Sequence, residues 1–233
     1  QIITHMRSVV AYFLLCSSLA VAQTPDWALT AANDGWVPPT GMTQDADGNI
    51  YVCGSYDQGP MSFGNFSVPY GWNFDGYVAK IDPNGTVLWL KRIGGTEADL
   101  VTDVDVDAMG NVYIIGQCRF GSTAQFGTFS FNPTGVYDGF LAKLSPTGSF
   151  LWMKNTVATS IASVRPVSID VTDAGEIVVC GTKEYSFSWQ GTSFSSYDQD
   201  DMFVARFNSS GILQWGRTFI GDDGDEEAQA VAF

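Results

Sequence analysis

A 15-residue stretch that occurs three times in this chain decides its fold. Residues 138–152 read DGFLAKLSPTGSFLW, residues 75–89 read DGYVAKIDPNGTVLW, and residues 201–215 read DMFVARFNSSGILQW. Each copy has an apolar segment, a turn containing Gly with Pro, Asn or Ser, and a second apolar segment that ends in Trp. The copies start 63 residues apart. This period predicts an array of structurally equivalent units.

Other positions keep the same phase. Successive tryptophans of one series are 62, 63 and 63 residues apart. The positions that recur in this register are Trp27, Trp89, Trp152 and Trp215, then Asp75, Asp138 and Asp201, then Gly85, Gly148 and Gly211. Because these residues recur in every copy, we interpret them as structural. We expect the Trp side chains to pack between units and the Asp side chains to cap the start of a strand.

Four strands are predicted in each repeat. In the second repeat they are strand a at residues 104–106, strand b at 111–116, strand c at 140–144 and strand d at 150–153. Tight Gly-containing turns join a to b and c to d. Strand b is apolar at successive positions, so we expect it to be covered on both faces. Each repeat is therefore predicted to be a four-stranded antiparallel meander in an all-β protein.

Such a meander must bury both faces against neighbours. Radial stacking in a β-propeller achieves this, typically with 4–8 four-stranded blades. An open β-solenoid is the alternative, but its coils are usually shorter and its strands parallel. We predict a β-propeller, present here as an incomplete arc of about three blades.

The motifs also resemble a known repeat family. The segments G-N-V-Y-I-I-G at 110–116, F-G at 126–127 and residues 138–152 are similar to the SBBP repeat, a seven-bladed β-propeller repeat of exported bacterial proteins. The resemblance covers nearly all of residues 23–233. It implies a cell-surface or secreted protein, often of Bacteroidetes-type bacteria and often with a C-terminal sorting domain. It implies no particular reaction.

The N-terminal segment has the features of a signal peptide. Arg7 is followed by an apolar run from Val9 to Leu15 and then by Ala20-Val21-Ala22, so we predict a signal peptide at residues 6–22 that is cleaved before Gln23. Residues 1–5 precede the first plausible start Met and are interpreted as upstream read-through. A lipoprotein modified at Cys16 is the weaker alternative. The protein is predicted to be exported to the cell surface or beyond, or to the periplasm, without a membrane span.

The repeat phase divides residues 23–233 into unequal parts. The predicted parts are a lone strand d at 25–32, blade 1 at 40–95, blade 2 at 103–158, blade 3 at 167–220 and the start of blade 4 at 226–233. This layout predicts that the chain is an N-terminal fragment and that the remaining blades belong to its C-terminal continuation.

Charge and histidine content exclude several functions. The chain has 25 Asp and Glu against 11 Lys and Arg, a net charge of −14, which argues against binding nucleic acid. Its single histidine, His5, precedes the predicted mature start. Ser-His-Asp and Cys-His catalysis and histidine-ligated metals are therefore not expected.

Function is expected in the long connections between strands b and c, where the copies differ. Tyr70, Trp72 and Phe74 lie in the first of them. These three aromatic side chains could stack on a sugar or anchor a protein partner. The alternative is that they pack over the edge of the blade.

An acidic loop is the second candidate site. Asp222, Asp223, Asp225 and Glu226 lie between a strand d and the next strand a. Their oxygens could hold Ca²⁺, and the alternative is a solvated acidic loop. No other cofactor is predicted.

Three cysteines remain after the predicted cleavage, Cys53, Cys118 and Cys180. We favour buried, unpaired thiols, because Cys53 and Cys180 lie in apolar runs directly before Gly. One disulfide with one free thiol is the alternative, and the sequence does not select the pair.

Together these features favour a non-catalytic, exported β-propeller that acts as an interaction or scaffold module for a protein or glycan at the bacterial cell surface. The alternative is part of an exported propeller enzyme. That enzyme would be a carboxylate-based glycan hydrolase or lyase, or a quinoprotein-like dehydrogenase, since residues 82–89 are distantly similar to the Trp-docking repeats of such dehydrogenases.

Overall fold

Every regular element in the part of the chain that the structure describes is a β-strand. The computed structural model describes residues 27–195, 200–220 and 226–233. Within those ranges it contains 19 strands, which include three four-stranded antiparallel meanders and their hairpins. One meander is a separate sheet, and the other two are joined in a ten-stranded sheet by a parallel pairing of Tyr137 with Ser163. The prediction of an all-β fold built from such meanders is confirmed.

The first blade is a sheet with the strand order β2-β3-β6-β7, and a small hairpin, β4-β5, lies between its second and third strands. The first seven strands are β1 (Ala31–Ala32), β2 (Pro39–Gln44), β3 (Ile50–Tyr56), β4 (Met61–Phe63), β5 (Phe66–Val68), β6 (Asp75–Ile81) and β7 (Val87–Ile93).

The second and third blades repeat this plan. The strands of blade 2 are β8 (Asp99–Val106), β9 (Val112–Arg119), the hairpin β10 (Ala124–Phe126) and β11 (Phe129–Phe131), β12 (Tyr137–Leu144) and β13 (Phe150–Ala158). The strands of blade 3 are β14 (Ser163–Val171), β15 (Ile177–Glu184), the hairpin β16 (Phe187–Trp189) and β17 (Thr192–Phe194), β18 (Asp200–Phe207) and β19 (Leu213–Phe219).

The hydrophobic core lies between blades. One buried cluster joins Tyr51 and Val78 of blade 1 to Ile114 and Phe140 of blade 2. A second joins residues of blade 2, such as Leu141, to residues of blade 3. Face-to-face stacking of meanders in this way is the arrangement of a β-propeller, and it explains why strand b is apolar at successive positions.

The recurring Trp residues connect each blade to the next. The indole N–H of Trp89 in blade 1 donates to the carbonyl of Pro146 in blade 2 at 3.0 Å. Its ring lies over Gly148, where a Cβ atom would come within 2.9 Å of the indole. Trp27 makes the same hydrogen bond to the carbonyl of Pro83, also at 3.0 Å. The Trp ring thus requires glycine in the facing turn.

The same packing recurs at the other two turns. Trp27 lies against Gly85, and Trp152 lies against Gly211. Each turn glycine has a positive φ between 72° and 83°, a conformation that glycine adopts without steric cost. The 63-residue period therefore places a Trp of one blade opposite a left-handed turn of the following blade.

Carboxylates on the innermost strand of one blade bind the innermost strand of the next. Asp103 and Asp105 of β8 accept hydrogen bonds from the backbone N–H groups of Ile169 and Val171 in β14, at 3.0 and 2.7 Å. Asp105 also accepts from the hydroxyl of Thr43 in blade 1 at 3.0 Å. Asp105 therefore connects three blades. Burial raises the pKa of both carboxyl groups.

Replacing Asp105 with alanine is expected to lower the free energy of unfolding by about 1–2 kcal/mol, because the N–H of Val171 and the hydroxyl of Thr43 lose their partner. Asp105→Asn is the matched control, since its amide oxygen still accepts from Val171 and we expect little change. Urea unfolding followed by circular dichroism measures both. Equal losses in the two variants would contradict this role.

The long connections between strands b and c are more ordered than the sequence analysis assumed. Each contains a hairpin of two three-residue strands, and this hairpin bonds to the strand d that precedes its own blade. Strand β13 pairs with β16, with Thr156 opposite Trp189. Strand β1 pairs with β4, and Gly94, directly after β7, forms a bridge with Gln125.

The two ends of the described chain add to neighbouring blades. The predicted lone strand d at 25–32 is described from residue 27 onward, and within that part Ala31–Ala32 form a strand while Trp27 packs on the turn of blade 1. At the other end, the N–H groups of Val231 and Phe233 donate to Ser168 Oγ at 3.4 Å and to Asp170 Oδ2 at 2.7 Å. The predicted signal peptide lies outside the described residues.

Candidate functional site

One end of the blades carries the d–a connections together with the starts and ends of the b–c connections, and we call it the loop face. Its described segments in the first two blades are 57–60, 69–74, 120–123 and 132–136 of the b–c connections and 33–38, 94–98 and 159–162 of the d–a connections. The hairpin tips reach the other end of the blades, where Gly64 faces Val87 and Gly127 faces Phe150 at the start of strand d. The antiparallel meander puts these segments on one side and the tight a–b and c–d turns on the other.

The three aromatic residues predicted as a binding site are placed differently from one another. Trp72 is 85% exposed and has a φ of 87°, which is rare for a bulky residue. Tyr70 packs against the hydrophobic cluster of blade 1. Phe74 is half-buried. Trp72 is therefore the member of the trio that is presented to solvent.

Trp36 lies beside this group, and the sequence analysis had assigned it no binding role. Its ring meets that of Phe74 edge to face, with centroids 6.3 Å apart, and it is 57% exposed. The backbone N–H of Trp36 donates to Asp57 Oδ1 at 2.7 Å, and its backbone carbonyl accepts from the backbone N–H of Asp57 at 3.2 Å. The d–a connection thereby holds a second exposed indole next to the Trp72 segment.

A buried polar network supports the Trp72 segment from below. The N–H of Gly71 donates to Asp75 Oδ2 at 2.7 Å, and Arg92 Nη2 donates to Asp75 Oδ1 at 2.6 Å and to the carbonyl of Gly95 at 2.7 Å. The carbonyl of Phe74 accepts from the N–H of Asp99 at 2.8 Å. Both flanks of Trp72 are therefore tied to the junction of blades 1 and 2.

The two carboxyl groups of this network are fully buried. Burial raises the pKa of Asp75 despite the Arg92 guanidinium. Burial is also the main reason that the pKa of Asp99 is raised to about 6, with the negative charge of Asp75 acting in the same direction. Because both carboxyls are enclosed, neither is available to a glycan as a catalytic acid or base.

A second apolar group lies on the same face at blade 2. Phe120 is 62% exposed and Ile161 is 58% exposed. The N–H of Phe120 donates to the carbonyl of Val136 at 3.2 Å, and the N–H of Val136 donates to the carbonyl of Ala162 at 2.7 Å. The sequence analysis did not single out Phe120, although it stands in a b–c connection where the copies differ.

Carboxylates surround the aromatic groups, and two cations near them are paired. Asp34 precedes Trp36 by two positions in the chain, and Asp57 accepts the backbone N–H of Trp36. Arg92 is paired with Asp75, and Arg165 with Asp200, each at 2.6 Å. Around Trp36 and Trp72 the loop face thus offers aromatic surface on an acidic background, which suits neutral or basic partners better than polyanions.

The other recurring Asp residues are also bonded at the start of strand c, and Asp138 holds its loop in the same way. Asp138 Oδ2 accepts from the N–H of Thr134 at 2.6 Å, and Asp138 Oδ1 accepts from the hydroxyl of Thr156 at 3.1 Å. Asp201 pairs with the fully buried Lys183 at 3.2 Å. Asp75 and Asp138 thus stand at the start of strand c and position the connection before it, while Asp201 at the equivalent place binds Lys183 of strand b.

Most of the predicted calcium loop lies outside the part of the chain that the structure describes. Asp222, Asp223 and Asp225 lie outside the described residues. Glu226 is half-buried, and its N–H donates to the carbonyl of Asp200 at 2.9 Å. Among residues 27–195, 200–220 and 226–233, no group of three or more His, Cys, Asp or Glu residues could hold a metal ion.

The three described cysteines are free and buried. Burial raises the pKa of the Cys53 thiol to about 12, and it raises the pKa values of Cys118 and Cys180 as well. Such thiols are poor nucleophiles at neutral pH. They behave as small apolar side chains between blades.

The fold and the loop face define the class of this protein as a repeat protein of the β-propeller type. No protein-family model matches the sequence. The chain is 26% identical, over 154 aligned residues, to an uncharacterized WD repeat-containing protein of Acanthamoeba polyphaga mimivirus, covering 59% of this chain and 11% of the relative. The chain therefore corresponds to a small part of that relative's length.

A solved structure also matches in part. It is the crystal structure of a protein of unknown function from Bacteroides caccae, with a TM-score of 0.29 and 12% identity, covering 78% of this chain and 82% of the other. In the described part of this chain, no helix has the length and apolar character that crossing a membrane requires.

Proposed function

We propose that this protein is a non-catalytic interaction module whose loop face binds a protein or glycan partner through Trp72 and Trp36. The observation that carries the proposal is the 85% exposure of Trp72. A large indole held outward on a rigid scaffold has the character of a binding hot spot.

The backbone on both sides of Trp72 is rigidly supported. Gly71 and Phe74, on the two sides of Trp72, are bonded to Asp75 and Asp99, and both of these residues are buried. A backbone segment that is already fixed on both sides of the indole loses little conformational entropy when a partner binds. This favours a recognition role over a disordered, adaptable loop.

The family and the cellular location of this protein are part of the same proposal. The three in-phase repeats support membership of the SBBP repeat family, and the segment 6–22 supports export. We infer that the module works at the bacterial cell surface or outside the cell, where calcium bound by the 222–226 loop could add to its stability. The similarity to a WD repeat-containing protein is compatible with an interaction role.

Partner binding is expected to weaken at least about tenfold, or about 1.4 kcal/mol or more, in Trp72→Ala. Stability is expected to change by less than about 0.5 kcal/mol, because the side chain is exposed. A glycan array and a pulldown from envelope extracts identify the partner, and biolayer interferometry then measures Kd for the wild type and the variant.

Met109→Ala is the matched control. Met109 is 77% exposed but lies in an a–b turn, on the opposite side from the loop face. Unchanged binding in Trp72→Ala, or equal losses in both variants, would remove the loop face as the binding site. Turnover in a hydrolase panel that disappears when one Asp or Glu is replaced would instead show an enzyme.

A further inference from the structure

The face of blade 3 that points away from blade 2 is open, and we call it the open face. The equivalent positions in strand c are Val78, Leu141 and Val204. Val78 and Leu141 are completely buried by the following blade, whereas Val204 is partly exposed. Trp215 and Phe219 on β19 share this side, because they stand opposite Arg206 and Met202 in the sheet. They are 40% and 51% exposed.

The open face carries the same Trp position as the blade faces that are covered by a following blade. Trp89 and Trp152 at the equivalent position pack on Gly148 and Gly211 of the next blade. The indole of Trp89 also donates to a turn carbonyl. Within the described residues, no glycine turn lies on Trp215. Its environment lacks the contact that the other three Trp residues of the series have.

Part of a following blade is already in place. Val231 and Phe233 donate to Ser168 and Asp170 of β14, just as Ile169 and Val171 of β14 donate to Asp103 and Asp105 of β8. The ring of Phe233 lies 5.5 Å from the guanidinium of Arg206. Residues 226–233 therefore occupy the position of an innermost strand a beside blade 3.

A second copy of this chain fits the open face less well. The c–d turns of all three described blades are already covered, since Gly85, Gly148 and Gly211 lie under Trp27, Trp89 and Trp152. In a second copy the turn of blade 1 could reach Trp215 of the first copy only if Trp27 of that second copy left Gly85. Strand a at 226–233 also indicates an occupant continuous with this chain.

We propose that the open face binds a fourth four-stranded blade whose innermost strand is residues 226–233. That blade presents to Trp215 a turn with a glycine in the left-handed conformation and a backbone carbonyl that accepts the indole N–H. The packing covers Val204 and Phe219 with apolar side chains of the incoming strands c and d. The proposal is independent of the loop face.

The test extends the full chain with a copy of its own residues 107–162. The N–H of Phe233 donates to Asp170 as the N–H of Val171 donates to Asp105, so Phe233 is equivalent to Val171 and, one blade earlier, to Val106. A copy that starts at residue 107 therefore continues the repeat in phase. It also brings the Ser-Pro-Thr-Gly turn of residues 145–148. Trp215 is followed by 19F NMR in protein labelled with 5-fluorotryptophan, and its signal is assigned with Trp215→Phe. Hydrogen exchange reports on β19 and on the added residues.

The proposal predicts that the solvent isotope shift of Trp215 falls to that of Trp152 and that amide exchange in β19 slows at least about tenfold. A second extended protein, with Gly148→Val in the added copy only, is expected to lose both effects because the valine displaces the indole. Protected added strands with an unchanged Trp215 would overturn the proposal. So would added residues that exchange at unfolded rates, since the copy supplies every contact the proposal names.

Sedimentation velocity of the unextended chain tests whether a second copy of the chain covers the open face instead. A monomer over the accessible concentration range is expected. A dimer that Trp215→Ala dissociates would show that a second copy covers the open face, and this would also overturn the proposal.

Discussion

Trp89→Ala is expected to lower the free energy of unfolding by about 3–5 kcal/mol. The side chain is only 6% exposed, it packs on Gly148 of the next blade, and its indole N–H donates to the carbonyl of Pro146. Removing it leaves a cavity between blades 1 and 2 and takes the hydrogen-bond donor away from the carbonyl of Pro146. Urea unfolding followed by circular dichroism measures the loss.

The chain contains its own control for this experiment. Trp215 occupies the equivalent position in blade 3 but is 40% exposed. Trp215→Ala is therefore expected to cost less than half as much. Trp89→Phe should fall between the two, because it keeps part of the packing and loses the N–H donor. Similar losses for Trp89→Ala and Trp215→Ala would show that the contact with the next blade is not what stabilises the protein.

Asp99→Asn is expected to raise the free energy of unfolding at pH 7.5 by up to about 3 kcal/mol. Asp99 is fully buried, and desolvation is the main reason that its pKa rises from 3.8 to about 6. The folded protein therefore binds a proton more tightly than the unfolded chain does. An asparagine is neutral at every pH, and its amide oxygen can still accept the N–H of Gly95, which lies 2.6 Å from Asp99 Oδ2.

The pH dependence follows from the direction of this shift. A carboxyl whose pKa is raised by folding destabilises the folded state above that pKa, and this penalty disappears as the pH falls from about 6 to about 4. Wild-type stability should thus increase relative to that of Asp99→Asn over this range, and the two proteins should converge near pH 4. Asp75, Asp103 and Asp105 also have raised pKa values and contribute with the same sign to both proteins.

Unfolding curves at pH 4.5, 6 and 7.5 for the wild type and Asp99→Asn measure this difference. Asp99→Ala serves as the control, since it is equally neutral but leaves the N–H of Gly95 without a partner. If Asp99→Asn were less stable than the wild type at pH 7.5, the carboxylate would be stabilising, and the assignment of a raised pKa would be wrong.

The hairpins β4-β5, β10-β11 and β16-β17 show where sequence reasoning fell short. Each has only three residues per strand, too few for a clear alternating pattern. A signal was nevertheless present, because two apolar-Ser-apolar segments flank Gly64-Asn65 in the first copy, and such dipeptides favour tight hairpins. What stabilises the hairpin is its pairing with the preceding strand d, a long-range contact that local patterns do not report.

The candidate binding site was predicted only in part. The sequence placed Tyr70, Trp72 and Phe74 in one connection, and it could not tell which of them faces solvent. Tyr70 packs on blade 1, while Trp72 points outward because Gly71 and Phe74 are anchored to buried groups. Trp36 is 36 positions earlier in the chain than Trp72. It joins the group through an edge-to-face contact that no local pattern predicts.

By itself, the sequence determined the all-β class, the 63-residue unit and its four strands, because turn chemistry and apolar periodicity act over a few residues and recur in phase. The tertiary structure decided how the units meet: which Trp covers which turn, which carboxylate binds the next innermost strand, and which aromatic side chains remain exposed. These contacts join residues about 60 positions apart, such as Trp89 and Pro146. Their partners are set by the stacking of blades, a property of the folded chain and not of any local segment.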